Sequence, residues 1–368
     1  MAMMSKQDSE NIIREDAQYI AGLSFIPWNL FENEIVIVTG ATGLIGQSIV
    51  RALCERNIKY DANIKIVALA RNDAIARSMF AEYKNMSIVH YDLDIHCLSI
   101  SDMIDHIVKT SGRGPDAKKY LIHCISPTSS SYFIEHPSET INTIVMSTVS
   151  MLEYCRNSGA RMVFLSSMEV YGKGSEYPIT ESEVGGADTM NVRNSYPQAK
   201  QLSEALCAAY ASEYGISTCV ARLAQTFGAG VRPDDARVFA EFARDCMEKR
   251  DIHLLTDGKK KNMYLYIADA VSAILLLAAK GSSGEAYNVA NEETLISIKD
   301  MALNVASRFG SGKVRVIVNE NGEIPKKFPK SNALILDTKK IQSLGWKPSF
   351  DLMEMYERLI DSWLSNQN

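Results

Sequence analysis

Residues 32–57 read ENEIVIVTGATGLIGQSIVRALCERN. The unbroken apolar run IVIV passes through a glycine-spaced turn into a stretch whose apolar residues recur with helical period, so the segment is expected to fold as strand, loop and helix. Gly40, Gly43 and Gly46 stand directly after the strand and at the start of the helix. Glycine at those positions permits a tight turn and lets backbone N–H groups and a helix N-terminus approach a pyrophosphate. In this context the loop points to dinucleotide binding, with Gly40, Thr42, Gly43, Leu44, Ile45 and Gly46 as the contacting residues. The spacing is GxxGxxG, not GxGxxG.

The same alternation continues outward. Apolar strands are expected at IKIVALA (64–70), SIVHYDL (87–93), YLIHCIS (120–126), RMVFLSS (161–167) and STCVARLA (217–224), with helical segments between them. Each parallel crossover needs a helix to cover the sheet face, so the fold class is α/β: a Rossmann-type doubly wound parallel sheet. After about residue 225 come shorter strands (IHLLT, EAYNVAN, VRVIV), the helix SIKDMALNVASRF and several Pro-, Gly- and Lys-rich turns, expected to form a smaller C-terminal α/β substrate domain. The division read from the chain is a helical lead-in over 1–32, a dinucleotide-binding part over 33–225 and a mainly substrate-binding part over 226–368, some segments of which return to the first. Ligands of open parallel sheets lie at the C-terminal strand ends, so a cleft between the two larger parts is the expected site.

Composition narrows the partner. The chain has 368 residues, 46% of them apolar, and a formal charge of -5 with its basic residues scattered. No basic stripe suits nucleic acid or an anionic membrane, and a small molecule is the expected partner. Seven cysteines, well separated and without a CxxC, argue for reduced thiols in a cytoplasmic protein and against a zinc site. The N-terminus lacks a signal-peptide core, and the run AVSAILLLAAK (270–280) is too short to span a bilayer.

The second strand ends at Ala70 and Arg71, where an acidic residue usually holds the adenosine ribose. Arg71 suits a 2′-phosphate or a solvated, adenine-stacking position, which leaves NAD and NADP both open. Asp92 and Leu93 close the third strand, where they would meet the adenine. Tyr196 and Lys200, in NSYPQAKQ (194–201), stand four apart on one helix face and can enter the same cleft. An ammonium near a phenol favours phenolate and can also bind a nicotinamide ribose. About thirty residues earlier LSSMEVYG (165–172) ends a strand with hydroxyls and a carboxylate.

Together with TGxxGxxG, these segments resemble the extended short-chain dehydrogenase/reductase superfamily, the NAD-dependent nucleotide-sugar epimerases, dehydratases and decarboxylases, over residues from about 33 to LGWKPSFDLMEMYERLI (344–360). HCISPTSS (123–130), RNSYPQAK (193–200) and ARLAQTFGAG…DARVFAEF (221–242) are most similar to the UDP-glucuronate decarboxylases. The resemblance implies that Ser167 orients the sugar 4-hydroxyl, Tyr196 removes its proton, Lys200 tunes Tyr196, Glu169 sits near sugar C5 and Ser126 near the cofactor. It also implies that Ser126, Met168, Arg193, Gln225, Arg237 and Lys261 line the substrate, and that two helices, over 140–159 and 196–215, pair a homodimer.

Several residues depart from the family pattern. Met168 replaces the Asp that helps some dehydratases expel water, and a thioether cannot donate a proton. Gln225 replaces an asparagine. The arginine that clamps the diphosphate before YIAD aligns with about Asn262, and a second one before LGW is missing; Lys260, Lys261 or Lys330 are the replacements at hand, without arginine's bidentate fork. The chemistry implied is oxidation at sugar C4 to a transient 4-ketone, followed by decarboxylation, epimerisation or dehydration. An NADPH-dependent keto-sugar reductase and a non-catalytic nucleotide sensor are the other classes.

Overall fold

The computed structural model describes residues 6–84, 86–90, 98–110, 112–114, 116–172, 174–175, 177–183, 185–186, 188–319 and 333–364. Its centre is a seven-stranded parallel sheet built from β1 (Ile35–Thr39), β2 (Lys65–Ala70), β3 (Met86–His90), β4 (Lys119–His123), β5 (Arg161–Ser167), β6 (Thr218–Leu223) and a late strand over Glu285–Val289, here β11. In space the order is β11-β6-β5-β4-β1-β2-β3. β1 is buried at every residue and pairs β2 on one side (Ile35↔Lys65) and β4 on the other (Ile35↔Lys119). The direction of winding therefore reverses between β1 and β4, and the crevice outside their C-terminal ends is where open sheets of this kind take ligands.

Side chains alternate across β1, and the two faces feed two cores. Val36 and Val38 join one cluster with Ile49, Leu53, Ile274 and Leu277, from α2 (Leu44–Tyr60) and a helix over Ile267–Lys280, here α9. Ile35 and Ile37 join the other with Ile104, Met151, Leu152 and Cys207, from α4 (Leu98–Thr110), α6 (Pro137–Ser158) and α7 (Ser195–Tyr214). α9 contains the run AVSAILLLAAK and is buried from Ile267 to Ala278, which explains its apolarity on all sides. Among the described residues no helix is long and apolar enough to cross a membrane.

Local signals set the helix ends. α6 begins with Pro137 at its first turn and stops at Gly159 in the left-handed region (φ 68°), and α7 stops at Gly215 in the same way (φ 69°). Shorter helices α3 (Asp73–Met79) and α5 (Ser130–Glu135) complete this half. Three two-stranded ladders carry the rest: β7 (Gln225–Phe227) with β10 (Tyr264–Tyr266), β8 (Ile252–Leu254) with β13 (Val316–Val318), and β9 (Lys261–Asn262) with β12 (Ile296–Ser297). They stand with α8 (Val238–Met247), α10 (Ile298–Phe309), α11 (Lys339–Gln342) and α12 (Leu352–Leu364). EAYNVAN was grouped with these smaller elements by sequence, but its strand pairs in parallel with β6 (Glu285↔Cys219) and forms the edge of the main sheet.

The lead-in helix α1 (Lys6–Gly22) lies against α2, α9 and α12. Asp16 is buried there, accepting from the Tyr266 hydroxyl at 2.6 Å and pairing with Arg358 at 2.8 Å. Burial raises the Asp16 carboxyl to about 6 although Arg358 and Tyr266 pull the other way. A second buried acid, Asp269 of YIAD, accepts the backbone N–H of Ser349 and Phe350, while Trp346 of LGW donates Nε1–H to the Asp269 carbonyl at 3.2 Å and to Ser272 Oγ at 3.0 Å. Trp346 is fully buried. Replacement by Ala leaves a cavity and unpaired acceptors, and Trp346→Ala is expected to lower stability by about 3–5 kcal/mol, measured by urea unfolding followed by circular dichroism.

Candidate active site

The glycine loop turns β1 directly into α2. Gly40 adopts φ +61°, and a Cβ there would stand 3.1 Å from the Cys124 carbonyl carbon and oxygen just beyond β4. The closer approach is at Gly46, where a Cβ would sit 2.3 Å from the Gly40 carbonyl oxygen. Gly43 caps α2 without a side chain, and its N–H donates to Gly40 O at 3.0 Å. Thr42, Leu44 and Ile45 are half-buried around this turn. The first-turn N–H groups of a 17-residue helix thus face the switch-point crevice with no side-chain cap across them, a cradle that fits a dinucleotide pyrophosphate. Arg71 is exposed beyond β2, with its charge felt by Tyr132. Asp92 and Leu93 lie outside the described residues.

Ser167 ends β5 and opens a 3-10 turn over Met168–Tyr171, its Oγ accepting the Glu169 N–H at 3.2 Å. Tyr196 and Lys200 occupy the first turns of α7, both buried, at 9% and 3% exposure. The Tyr196 ring stacks on Phe133, with centroids 4.4 Å apart and planes 6° from parallel. Burial pushes the Tyr196 phenol well above its usual value, the Glu169 charge adds to this, and hydrogen bonding with Ser167 and Ser126 together with the Arg237 charge oppose it. Ser167, Ser126 and Tyr196 therefore form one hydroxyl cluster. Phe133 carried no sequence signal as a partner for Tyr196.

Lys200 lies between Tyr196 and the end of β5. Its ammonium stands beside the Tyr196 ring, 5.8 Å from the centroid, and donates to the Leu165 carbonyl at 2.7 Å. The Arg237 charge also favours the phenolate. Burial lowers the Lys200 amine to about 8, with Cys124, Glu204 and Cys207 opposing. One of its three donors is committed to β5, leaving the others for a ribose or the phenolate.

Glu169 is partly buried and its carboxyl is raised by desolvation, while Arg193 and Lys260 lower it. The charges of both cations reach the carboxylate, and the buried Nε of Arg193 has no protein partner. Of the lysines named from sequence, Lys261 is exposed and paired to Ser297 in the β9–β12 ladder, and Lys330 lies outside the described residues. Lys260, the neighbour of Lys261, is exposed as well, and its charge reaches Glu169. Met168 is buried in the main core at 9% exposure. Gln225 is half-buried at the start of β7, opposite Tyr264, and Arg237 precedes α8, ion-paired to Asp235 at 2.6 Å. Among the described residues no group of three or more His, Cys, Asp or Glu could hold a metal.

A doubly wound sheet with a bare glycine cradle at its switch point and a buried tyrosine–lysine pair beside it defines a dinucleotide-dependent enzyme scaffold. The model of the NAD dependent epimerase/dehydratase family matches residues 36–290, and the chain belongs to that family. It is 24% identical over 336 residues to UDP-glucuronic acid decarboxylase 1 of Arabidopsis thaliana, covering 89% of this chain and 69% of that one. Its fold is similar to UDP-glucose 4-epimerase of Thermotoga maritima solved with UDP-glucose (TM-score 0.74, 20% identity, 91% of this chain and 100% of that one). It is also similar to dTDP-glucose 4,6-dehydratase of Bacillus anthracis solved with NAD (TM-score 0.72, 17% identity, 91% and 97%). At these identities the structural likeness establishes the fold. Gly46→Ala is expected to weaken NAD binding roughly tenfold or more by forcing the loop off its cradle geometry, while the far-ultraviolet spectrum stays native; isothermal titration checks it.

Proposed function

We propose that the chain is a nucleotide-sugar enzyme of the UDP-glucuronate decarboxylase type. The observation that carries this reading is the likeness over 336 residues to a UDP-glucuronic acid decarboxylase, with Ser167 and Glu169 at the end of β5 and Tyr196 and Lys200 on the first turns of α7; the charges of Arg193 and Lys260 felt by Glu169, and of Arg237 felt by Tyr196, support it. Cations gathered at the reacting end of the cleft suit a sugar that carries its own carboxylate there, in a site whose cofactor end already takes a diphosphate. Bound NAD supplies a reversible hydride acceptor at sugar C4.

The chain's residues do the rest. Gly40, Gly43 and Gly46 with the first turn of α2 bind the pyrophosphate, and Lys200 holds the ribose. Ser167 orients the 4-hydroxyl and Tyr196 takes its proton. With C4 oxidised, a C6 carboxylate belongs to a β-keto acid: the C5–C6 bond breaks, carbon dioxide leaves, and the electron pair stays on C5 as an enolate. Glu169 handles the proton that C5 then receives, and Tyr196 returns the proton to O4 as the ketone is reduced. Buried Met168 supplies no acid to expel water, which favours carbon dioxide over water as the leaving group.

The protein is read as a cytoplasmic homodimer: its six described cysteines are free, and Ile141 of α6 with Leu202 of α7 are exposed on the two helices assigned to pairing.

Incubation with a panel of nucleotide sugars, followed by mass spectrometry, tests the reading. A UDP-uronate product lighter by about 44 is expected, whereas a loss of about 18 or no change assigns dehydration or epimerisation. Tyr196→Phe is expected to keep NAD and lose turnover by roughly 100-fold or more. Lys260→Met is expected to raise KM for the uronate roughly tenfold or more while leaving NAD affinity within about twofold, as measured by initial rates and titration.

A further inference from the structure

Helix α7 grips the end of β5 at consecutive points. Lys200 Nζ donates to Leu165 O at 2.7 Å, Ser166 Oγ donates to Glu204 Oε1 at 2.5 Å, and Gln201 Nε2 donates to Val170 O at 2.7 Å. Ser167 lies within this grip. Glu204 stands one helical turn beyond Lys200 and two beyond Tyr196, so the three share a helix face.

The Glu204 carboxylate also receives Arg222 of β6, with Nε at 3.1 Å from both oxygens and Nη2 at 2.7 Å. Ser166 and Arg222 are direct neighbours in the β5–β6 register, so one carboxylate is bonded to both strands where they leave the sheet. Arg222 goes on to the Tyr171 hydroxyl at 2.8 Å and the Glu181 carbonyl at 3.0 Å, and Tyr171 to Asn288 at 2.6 Å. Both ends of the 3-10 turn that carries Glu169 are thereby tied to Glu204: Ser166 stands just before its cap Ser167, and Tyr171 closes it through Arg222. Side-chain exposure of the pair is 13% and 12%, low enough for the ion pair to have geometric authority.

We propose that Glu204 is a positioning residue, holding Ser167 and Glu169 at the reacting distance from Tyr196 by fixing β5 and its following turn against the catalytic helix. Nothing in this argument requires a particular sugar, but its kinetic arm rests on the turnover proposed above. Glu204 touches neither substrate nor cofactor in this role. It also bears on Lys200, which faces Cys124 and His123 from the end of β4 and Glu204 and Cys207 on its own helix.

The test compares wild type with Glu204→Gln and Ser166→Ala. The pair borders an open cavity of about 480 Å³ lined also by Gln201, Ala205 and Ala208, so the loss of one charge there can be solvated and the variants are expected to fold. Both should lower kcat roughly tenfold or more with KM and NAD affinity within about twofold, a split that a loss of folded protein does not produce, since active-site titration corrects for it. Removing the Glu204 charge takes away an anion that favours the Lys200 ammonium. Glu204→Gln alone should therefore move the alkaline limb of kcat to lower pH, and Ser166→Ala should not. Independently of any substrate, the NMR signal of ring-labelled Tyr196 in the NAD-bound protein, identified by its disappearance in Tyr196→Phe, should shift in both variants. Unchanged kcat and an unchanged Tyr196 signal overturn the proposal. If wild type turns over no nucleotide sugar, the function proposed above fails while the Tyr196 signal still decides this one.

Discussion

The approach of Gly46 to the Gly40 carbonyl is the constraint on which the site is built. It lets the chain leave β1 and enter α2 without an intervening side chain, so the helix begins at the sheet edge, at the point where the strand order reverses. A Cβ at Gly46 collides with backbone, which cannot rotate away as a side chain can, and one at Gly40 would crowd the Cys124 carbonyl and strain a positive φ. Because β4 pairs β1 on the far side of that reversal, Cys124 and Ser126 leave the sheet next to the loop. The hydroxyl cluster and the pyrophosphate cradle therefore come from opposite halves of the winding and meet at one crevice.

Burial and charge compete across that crevice. Desolvation drives Tyr196 and Glu169 toward their protonated forms and Lys200 toward its neutral one, and each is then answered by a neighbour of opposite character. Arg237 and the Ser167 and Ser126 hydroxyls act on Tyr196, Arg193 and Lys260 on Glu169, and Glu204 on Lys200. Burial is the largest influence on each, so protonation here responds to anything that changes solvent access, such as the entry of a nicotinamide ring. Beneath the cofactor loop, His123 is held between Thr39, Ser147 and Thr148, and burial drives its pKa down to about 3, so it serves as a neutral hydrogen-bonding post.

The sheet was legible because its strands are buried on both faces and read as unbroken apolar runs, from IVIV through RMVFLSS. Tyr196 and Lys200 were legible because helical spacing fixes their common face. The return of EAYNVAN to the main sheet was not, since a five-residue strand of mixed polarity looks alike at an edge and in a small ladder. Which of Lys260 and Lys261 acts on Glu169 was not legible either, since adjacent exposed lysines look alike in the sequence. Phe133 under Tyr196 and Arg222 beside Ser166 are tertiary neighbours across 63 and 56 positions of chain, and only the fold brings them together.

Asp16 and Arg358 meet although 342 residues separate them. Arg358 is made that many positions after Asp16, so α1 cannot complete its burial until α12 has been synthesised. Until then the apolar side of α1 and the surfaces of α2 and α9 that it covers stay available to water and to chaperones. The cofactor helix α2 can pack on β1 before that moment, so the docking of α1 acts as a latch closed over elements that precede α12 in the chain.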